Sequence, residues 1–521
     1  MTATGSAQTS SELQTALGAM WGSRDPDVRL QELVNQAPSG SPLLLIDGER
    51  REAHSGARFD NVDPTTERVM GSTADAGPED VEEAIAAARR AFDETTWATD
   101  HAFRRRCLEQ LHAGLVRVAD DLRATAVWEV GAAVRTTHAF HSDFALDLLP
   151  WFAELAESYD YDLTLPDQPW AAGTRRLIAR EPVGVVAAIT PWNFPLYTAM
   201  TKIAPALASG NTVILKPAPQ TPWHATLLAR VVAEETDIPA GVLNIVPTSD
   251  NAVAEILTTD RRVDMVHFTG STAVGRKIIT NSAERIGRVA LELGGKSANI
   301  LLDDAPIADI VPVAAGMVCW SAGQGCVLPT RLLVPQDRYD EAVQLATAAY
   351  HGIAYGDPRD PLVIQGPQVS AVQRERVLSF IEKGEAEGAT LLAGGGIPAH
   401  LDTGYFVEPT LFGDVDRNAT IAQQEIFGPV LCLMPYRDEA DAIALANGTA
   451  YGLAGSVFSA DQDRAVSVAR RVRSGMMSVN GGFFYARDLP VGGYKQSGLG
   501  HECGVQGFEE FLETKAIAIG V

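Results

Sequence analysis

Cysteine is scarce: five residues, at positions 107, 319, 326, 432 and 503, in a chain of 521. They are odd in number and widely scattered, with neither CxxC nor mixed Cys/His spacing, which argues against a disulfide framework and against a zinc site. Positive charge is also in short supply. Lys and Arg total 42 against 66 Asp and Glu, a formal net charge of −24, and such a field repels nucleic acid and anionic membrane. No stretch reaches the eighteen or so apolar residues that a membrane span requires, and Met1 to Ser10 lacks a basic region followed by an apolar one. The expectation is a cytoplasmic protein without metal, nucleic acid or membrane, in which each thiol needs its own explanation.

What is present is ordinary globular material, 46% hydrophobic and 21% charged. At about 100–200 residues per domain, a chain of this length makes two to four domains. Residues 1–40 hold Ser, Gly and Pro punctuation around one weak helical pattern (Leu13, Leu17, Met20, then Val28, Leu30, Leu33), the mark of a loosely attached extension. From Leu43 a short apolar run stops at Asp47-Gly48, and the alanines and charges of 80–93 fit a helix, with helices dominating to about Glu157. Between Val183 and Val246, apolar runs at 183–190, 212–217 and 243–246 alternate with helical segments, a βαβαβ pattern that implies a parallel sheet. A like alternation recurs at 297–301, 331–334 and 455–458, so two α/β domains are expected.

Three segments carry chemistry. Cys326 follows a glycine-bearing turn, Gly323-Gln324-Gly325, where backbone can approach a substrate closely. A lone cysteine is ordinarily a small buried apolar residue, so context must decide. Glu292, in Leu291-Glu292-Leu293-Gly294-Gly295-Lys296, is a carboxylate among apolar groups, where a raised pKa suits a general base near neutral pH. Thr190-Pro191-Trp192-Asn193-Phe194-Pro195-Leu196 follows an expected strand and presents Asn193 from a rigid turn, as a donor to an oxyanion would be presented.

Together these segments resemble the NAD(P)-dependent aldehyde dehydrogenase superfamily, over nearly the whole chain from about Leu43. Glu292 and Cys326 stand 34 positions apart, typical of the family's base and nucleophile, and TPWNFPL, FTGSTAVG, LELGGK, EIFGPV and PVGGYKQSG occur in the expected order. The resemblance implies that Cys326 attacks an aldehyde, that the Asn193 amide and the Cys326 backbone N–H hold the oxyanion, and that hydride leaves for nicotinamide. Water activated by Glu292 then hydrolyses the thioester to a carboxylic acid. A carboxylate at 292 argues against a phosphorylating or coenzyme A-acylating relative, and the intact Cys326, Glu292 and Asn193 argue against a non-catalytic one.

By the same resemblance the cofactor is NAD, with NADP left open. Its contacts are expected at Thr190, Trp192, Lys216, Pro219, Gly270, Ser271, Gly275, Leu293, Gly294, Glu425 and Phe427. Lys216 resembles the lysine that meets the adenosine ribose, Glu425 the carboxylate on the nicotinamide ribose, and Gly270-Ser271 opens a helix whose amides suit a pyrophosphate. Pro219 stands where the family often has a ribose-binding glutamate. Substrate walls are expected at Thr198, Thr201, Leu328, Tyr485 and Val491, with Arg487 on a nearby loop. The implied fold is α/β in three parts. A dinucleotide-binding, Rossmann-like domain takes 41–159 and 183–291, a catalytic α/β domain takes 292–495, and a small β oligomerisation flap takes 160–182 and 496–521. Strands at 175–179 and 516–519 would pair across subunits of a homodimer or a homotetramer.

Overall fold

The computed structural model describes residues 24–37 and 42–520. Its larger sheet has eight strands, in the order Gly498–Leu499, Arg288–Glu292, Met265–Thr269, Val185–Ile189, Thr212–Lys216, Leu243–Ile245, Leu44–Ile46, Glu49–Arg51. The five from 288–292 to 243–245 run parallel. Val185–Ile189 and Thr212–Lys216 are buried at every position, as strands covered by helices on both faces must be, and so their sequence reads as unbroken apolar runs. Asp47 and Gly48, with φ of 53° and 81°, make the tight turn joining the last two strands.

Strand order reverses at Val185–Ile189: the chain steps outward through 212–216 and 243–245, then returns to 265–269 on the other side. A crevice forms at such a switch point, beyond the carboxyl ends of the strands. The loops 190–193 and 270–271 leave from there.

The second sheet has seven strands, in the order Thr390–Ala393, Thr410–Gly413, Val430–Tyr436, Arg331–Pro335, Ala298–Leu301, Ala454–Phe458, Met476–Val479, all parallel but the first. The loops entering 331–335 and 430–436 carry Cys326 and Glu425. Two α/β units are thus present as expected, with a third, three-stranded sheet of Asp162–Thr164, Thr174–Pro182 and Leu512–Gly520.

Two sequence expectations change. The strands expected to pair across subunits pair with each other inside the chain, from Leu512 opposite Pro182 to Gly520 opposite Thr174, which leaves Leu512–Gly520 at the edge of its sheet. Before reaching that sheet, Gly498–Leu499 pairs with Leu291–Glu292 and so closes the first sheet beside the general-base candidate. The early segment is also less loose than its composition implied. Helix Val28–Val34, capped by Asp27 through a 2.8 Å bond from Leu30 N, buries Leu30 and Val34 against Ala124, Val127 and Val134. Leu13, Leu17 and Met20 lie outside the described residues.

Candidate active site

Each central strand of the first sheet delivers one element of the site. After Val185–Ile189 the chain turns through 190–194 into helix Pro195–Ser209, whose fifteen residues are all buried. Thr190 N donates to Lys216 O at 3.1 Å, which ties this turn to the end of the next strand. Asn193 Nδ2 donates to Gln324 O at 2.9 Å. Gln324 is itself buried, its side-chain oxygen accepting from Val369 N at 2.9 Å.

Ahead of the nucleophile, Ser321, Ala322 and Gly323 adopt φ of 50°, 55° and 73°. Left-handed backbone costs a non-glycine residue about 1–2 kcal/mol and is normally visited singly, so packing must hold this run. At Gly323 a Cβ would lie 2.0 Å from Gly428 C, so only glycine lets the nucleophile loop press against the loop carrying Phe427. Cys326 emerges partly accessible into a cavity of about 340 Å³. Burial, then Glu425, Glu292 and Glu502, push its thiol up. Cys107, Cys319, Cys432 and Cys503 are free and buried.

Glu292 ends strand Arg288–Glu292 and borders the same cavity. Its Oε1 has no hydrogen-bond partner, and burial first and Glu502 second hold its carboxyl well above the usual range, opposed by Lys202. Sequence reasoning missed this neighbouring pair. Lys202 Nζ lies 2.5 Å from Glu502 Oε1 and 2.6 Å from Thr269 Oγ1, with both side chains almost wholly buried. His267, on the adjoining strand, faces Glu502 at 3.7 Å and is pushed well down by burial and by Lys202.

The residues fit a dinucleotide. Ser271 caps helix Thr272–Ala283, accepting from Val274 N at 3.3 Å, and a helix start of this kind offers amides to phosphate. A Cβ at Gly294 would stand 2.2 Å from Glu425 Oε2, so glycine lets that carboxylate lie over the backbone, where it accepts from Gly295 N at 2.9 Å. Burial pushes Glu425 up to about 7. Phe427, at φ 64°, meets Trp192 edge to face at 5.3 Å, and Gln373 Nε2 holds its carbonyl at 2.8 Å. Gly275 accommodates Leu293, where a Cβ would come within 2.7 Å of Cδ2. Lys216 is buried at a strand end, its pKa brought down to about 8 by desolvation, and Pro219 follows on the half-buried loop.

The cavity brings together Cys326, Glu292, Asn193, Trp192, Gly270, Ser271, Leu293, Gly294, Glu425, Phe427, Thr198, Leu328, Tyr485 and Val491. Two expected wall residues are absent from it. Thr201 is fully buried, its hydroxyl turned back onto Thr198 O at 3.1 Å. Arg487 is drawn away by Asp147, 2.8 Å from its guanidinium on the surface. Thr190, Lys216, Pro219 and Gly275 do not line the cavity either; they stand behind or beside it.

The chain matches the model of the Aldehyde dehydrogenase family over residues 51–517. It is 42% identical over 479 residues to a 3-succinoylsemialdehyde-pyridine dehydrogenase of a Pseudomonas species, covering 91% of this chain and 98% of that one. With human mitochondrial aldehyde dehydrogenase it shares 38% identity, covering 92% of each. Among solved structures, Mycobacterium tuberculosis aldehyde dehydrogenase complexed with NAD+ is similar with a TM-score of 0.88 at 39% identity, covering 92% of this chain and 98% of that one. A variant of aldehyde dehydrogenase C from Pseudomonas syringae, complexed with NAD+ and octanal, has a TM-score of 0.88 at 37% identity, with the same coverage.

Proposed function

The chain belongs to the aldehyde dehydrogenase family and oxidises an aldehyde to a carboxylic acid with NAD as cofactor; on that footing we propose that Cys326 is the nucleophile, Asn193 the oxyanion donor and Glu292 the base. One observation carries the assignment: residues from three separate segments, 190–194, 288–292 and 324–328, meet in a single cavity.

The aldehyde carbon is attacked by the Cys326 sulfur, and the oxygen that gains charge is held by Asn193 Nδ2 and the Cys326 N–H. Asn193 already points at the loop bearing Cys326, so little reorientation is needed. Bound NAD supplies the hydride acceptor, with Glu425, Phe427, Gly270, Ser271, Lys216 and Pro219 as the residues that would hold it. The thioester left on Cys326 is hydrolysed by water whose proton passes to Glu292. A buried carboxylate lacking hydrogen bonds is basic enough for that task, and the Lys202–Glu502 pair supplies the nearest charges that tune it.

The finer reading extends to cofactor choice and assembly. NADP serves as an alternative cofactor, since Pro219 brings no carboxylate against a 2′-phosphate. The chain forms a homodimer or a tetramer of dimers, for Leu512–Gly520 is a nine-residue, largely exposed edge strand with an unpaired side. A cytoplasmic location fits a chain whose five cysteines are free thiols. The test of the assignment is Cys326→Ala, which should abolish turnover while NAD still binds. Retained turnover would remove Cys326 from the reaction.

A further inference from the structure

Five aromatic rings surround the approach to Cys326, and they come from distant parts of the chain. Phe140 sits in a π-helical turn, Ala139–Asp143; Phe194 and Tyr197 begin the buried helix; Trp320 precedes the nucleophile; Tyr485 comes from the loop after Met476–Val479. Phe140 is the hub. Its ring centroid lies 4.5 Å from Tyr485, 5.4 Å from Phe194, 5.5 Å from Trp320 and 5.6 Å from Tyr197. Contacts of this kind fix the rings against one another, so the collar is a rigid apolar wall.

Charge is distributed to match. The acidic and basic side chains that border the cavity, Glu292, Glu425, Glu502 and Arg376, belong to the base or cofactor side, and Arg487 is engaged by Asp147 outside it. A substrate carboxylate therefore meets no cation on the collar side. Phe140 meets Tyr197 at 88° and Tyr485 at 86°, edges against faces, so the neighbouring rings hold one another in place. Beyond Val327 and Tyr485 lies a second, smaller cavity of about 70 Å³ bordered by Met317, Phe458, Phe483 and Phe484, and those two residues form the wall shared by both spaces.

We propose that this site selects aldehydes that lack a carboxylate and whose carbonyl is borne on a flat aromatic or conjugated group, and that Phe140 and Tyr485 are the residues that set this selectivity. The proposal rests on the reading of Cys326 as the nucleophile. The experiment compares kcat/KM, followed by reduced cofactor, for benzaldehyde, hexanal, acetaldehyde, succinic semialdehyde and betaine aldehyde. Benzaldehyde should lead, exceeding acetaldehyde and succinic semialdehyde by about tenfold or more. Tyr485→Ala should lower the benzaldehyde-to-hexanal ratio about tenfold, because removing the ring merges the two cavities into a channel suited to a chain. Phe140→Leu, which keeps most of the volume, should lower the same ratio and covers the case in which the first variant misfolds. A wild-type ranking led by hexanal, succinic semialdehyde or betaine aldehyde overturns the proposal, as does an unchanged ratio in the folded variants. Failure of the underlying reading looks different: turnover would survive Cys326→Ala, whatever the ranking.

Discussion

Asn193 donates its side-chain amide to the carbonyl of Gln324 at 2.9 Å, bridging 131 positions of sequence to reach the loop two residues before the nucleophile. One bond thus fixes both the donor and the loop on which sulfur attacks. Asn193→Ala should lower kcat about 100- to 1,000-fold, as loss of a single oxyanion donor does, and should reduce the first burst of reduced cofactor as well as steady turnover. Stopped-flow absorbance separates the two phases. A normal burst would place Asn193 outside the first chemical step.

Lys202 and Glu502 act on Glu292 with opposite signs. Removing the cation in Lys202→Met leaves two carboxylates uncompensated, which raises the Glu292 pKa; the base then ionises later, and the acid limb of the kcat–pH profile moves to higher pH. Glu502→Gln removes a repelling charge, so the same limb should move to lower pH. Each variant also strands a buried charge, at a cost of about 3–5 kcal/mol, and thermal unfolding should show it. Limbs that stay in place in both variants would mean that the pair is purely structural.

For the cofactor, Lys216 provides a titration with a defined sign. With its pKa brought down to about 8, its ammonium is charged below that pH and neutral above it. A 2′-phosphate needs the charge, so kcat/KM for NADP should fall as pH rises through about 8, while NAD, lacking the phosphate, should show no such break. Pro219→Glu should cut NADP use about tenfold or more and spare NAD. If the wild-type enzyme already rejects NADP by more than about a thousandfold, roughly 4 kcal/mol, another group discriminates.

The parallel strands were legible because a strand covered on both faces must be apolar throughout, and Val185–Ile189 and Thr212–Lys216 are. Cys326, Glu292 and Asn193 were singled out by the order and spacing of the motifs around them, which resemble those of the family, and the fold brings all three to one cavity. Glu502 was not, since it meets Lys202 across 300 positions, a distance that only the tertiary fold bridges. A signal existed all the same: Lys202 is the one charged residue in a fifteen-residue helix that is buried throughout, and such a charge requires a partner. Arg487 was misjudged because its loop composition says nothing of Asp147, which lies on a helix 340 positions earlier. Phe140 and Trp320 escaped notice for a similar reason, being unremarkable apolar residues until the fold gathers them around Cys326.

The most direct test of the central claim is intact-protein and peptide mass spectrometry on Glu292→Gln, mixed with NAD and an aldehyde substrate and quenched in acid after the burst. Hydride transfer precedes hydrolysis, so this variant should release about one reduced cofactor per active site and then turn over slowly. The trapped protein should carry the mass of the acyl group on the peptide containing Cys326, with Cys107, Cys319, Cys432 and Cys503 unmodified. No adduct despite a full burst, or an acyl group on any other residue, would contradict a thioester on Cys326.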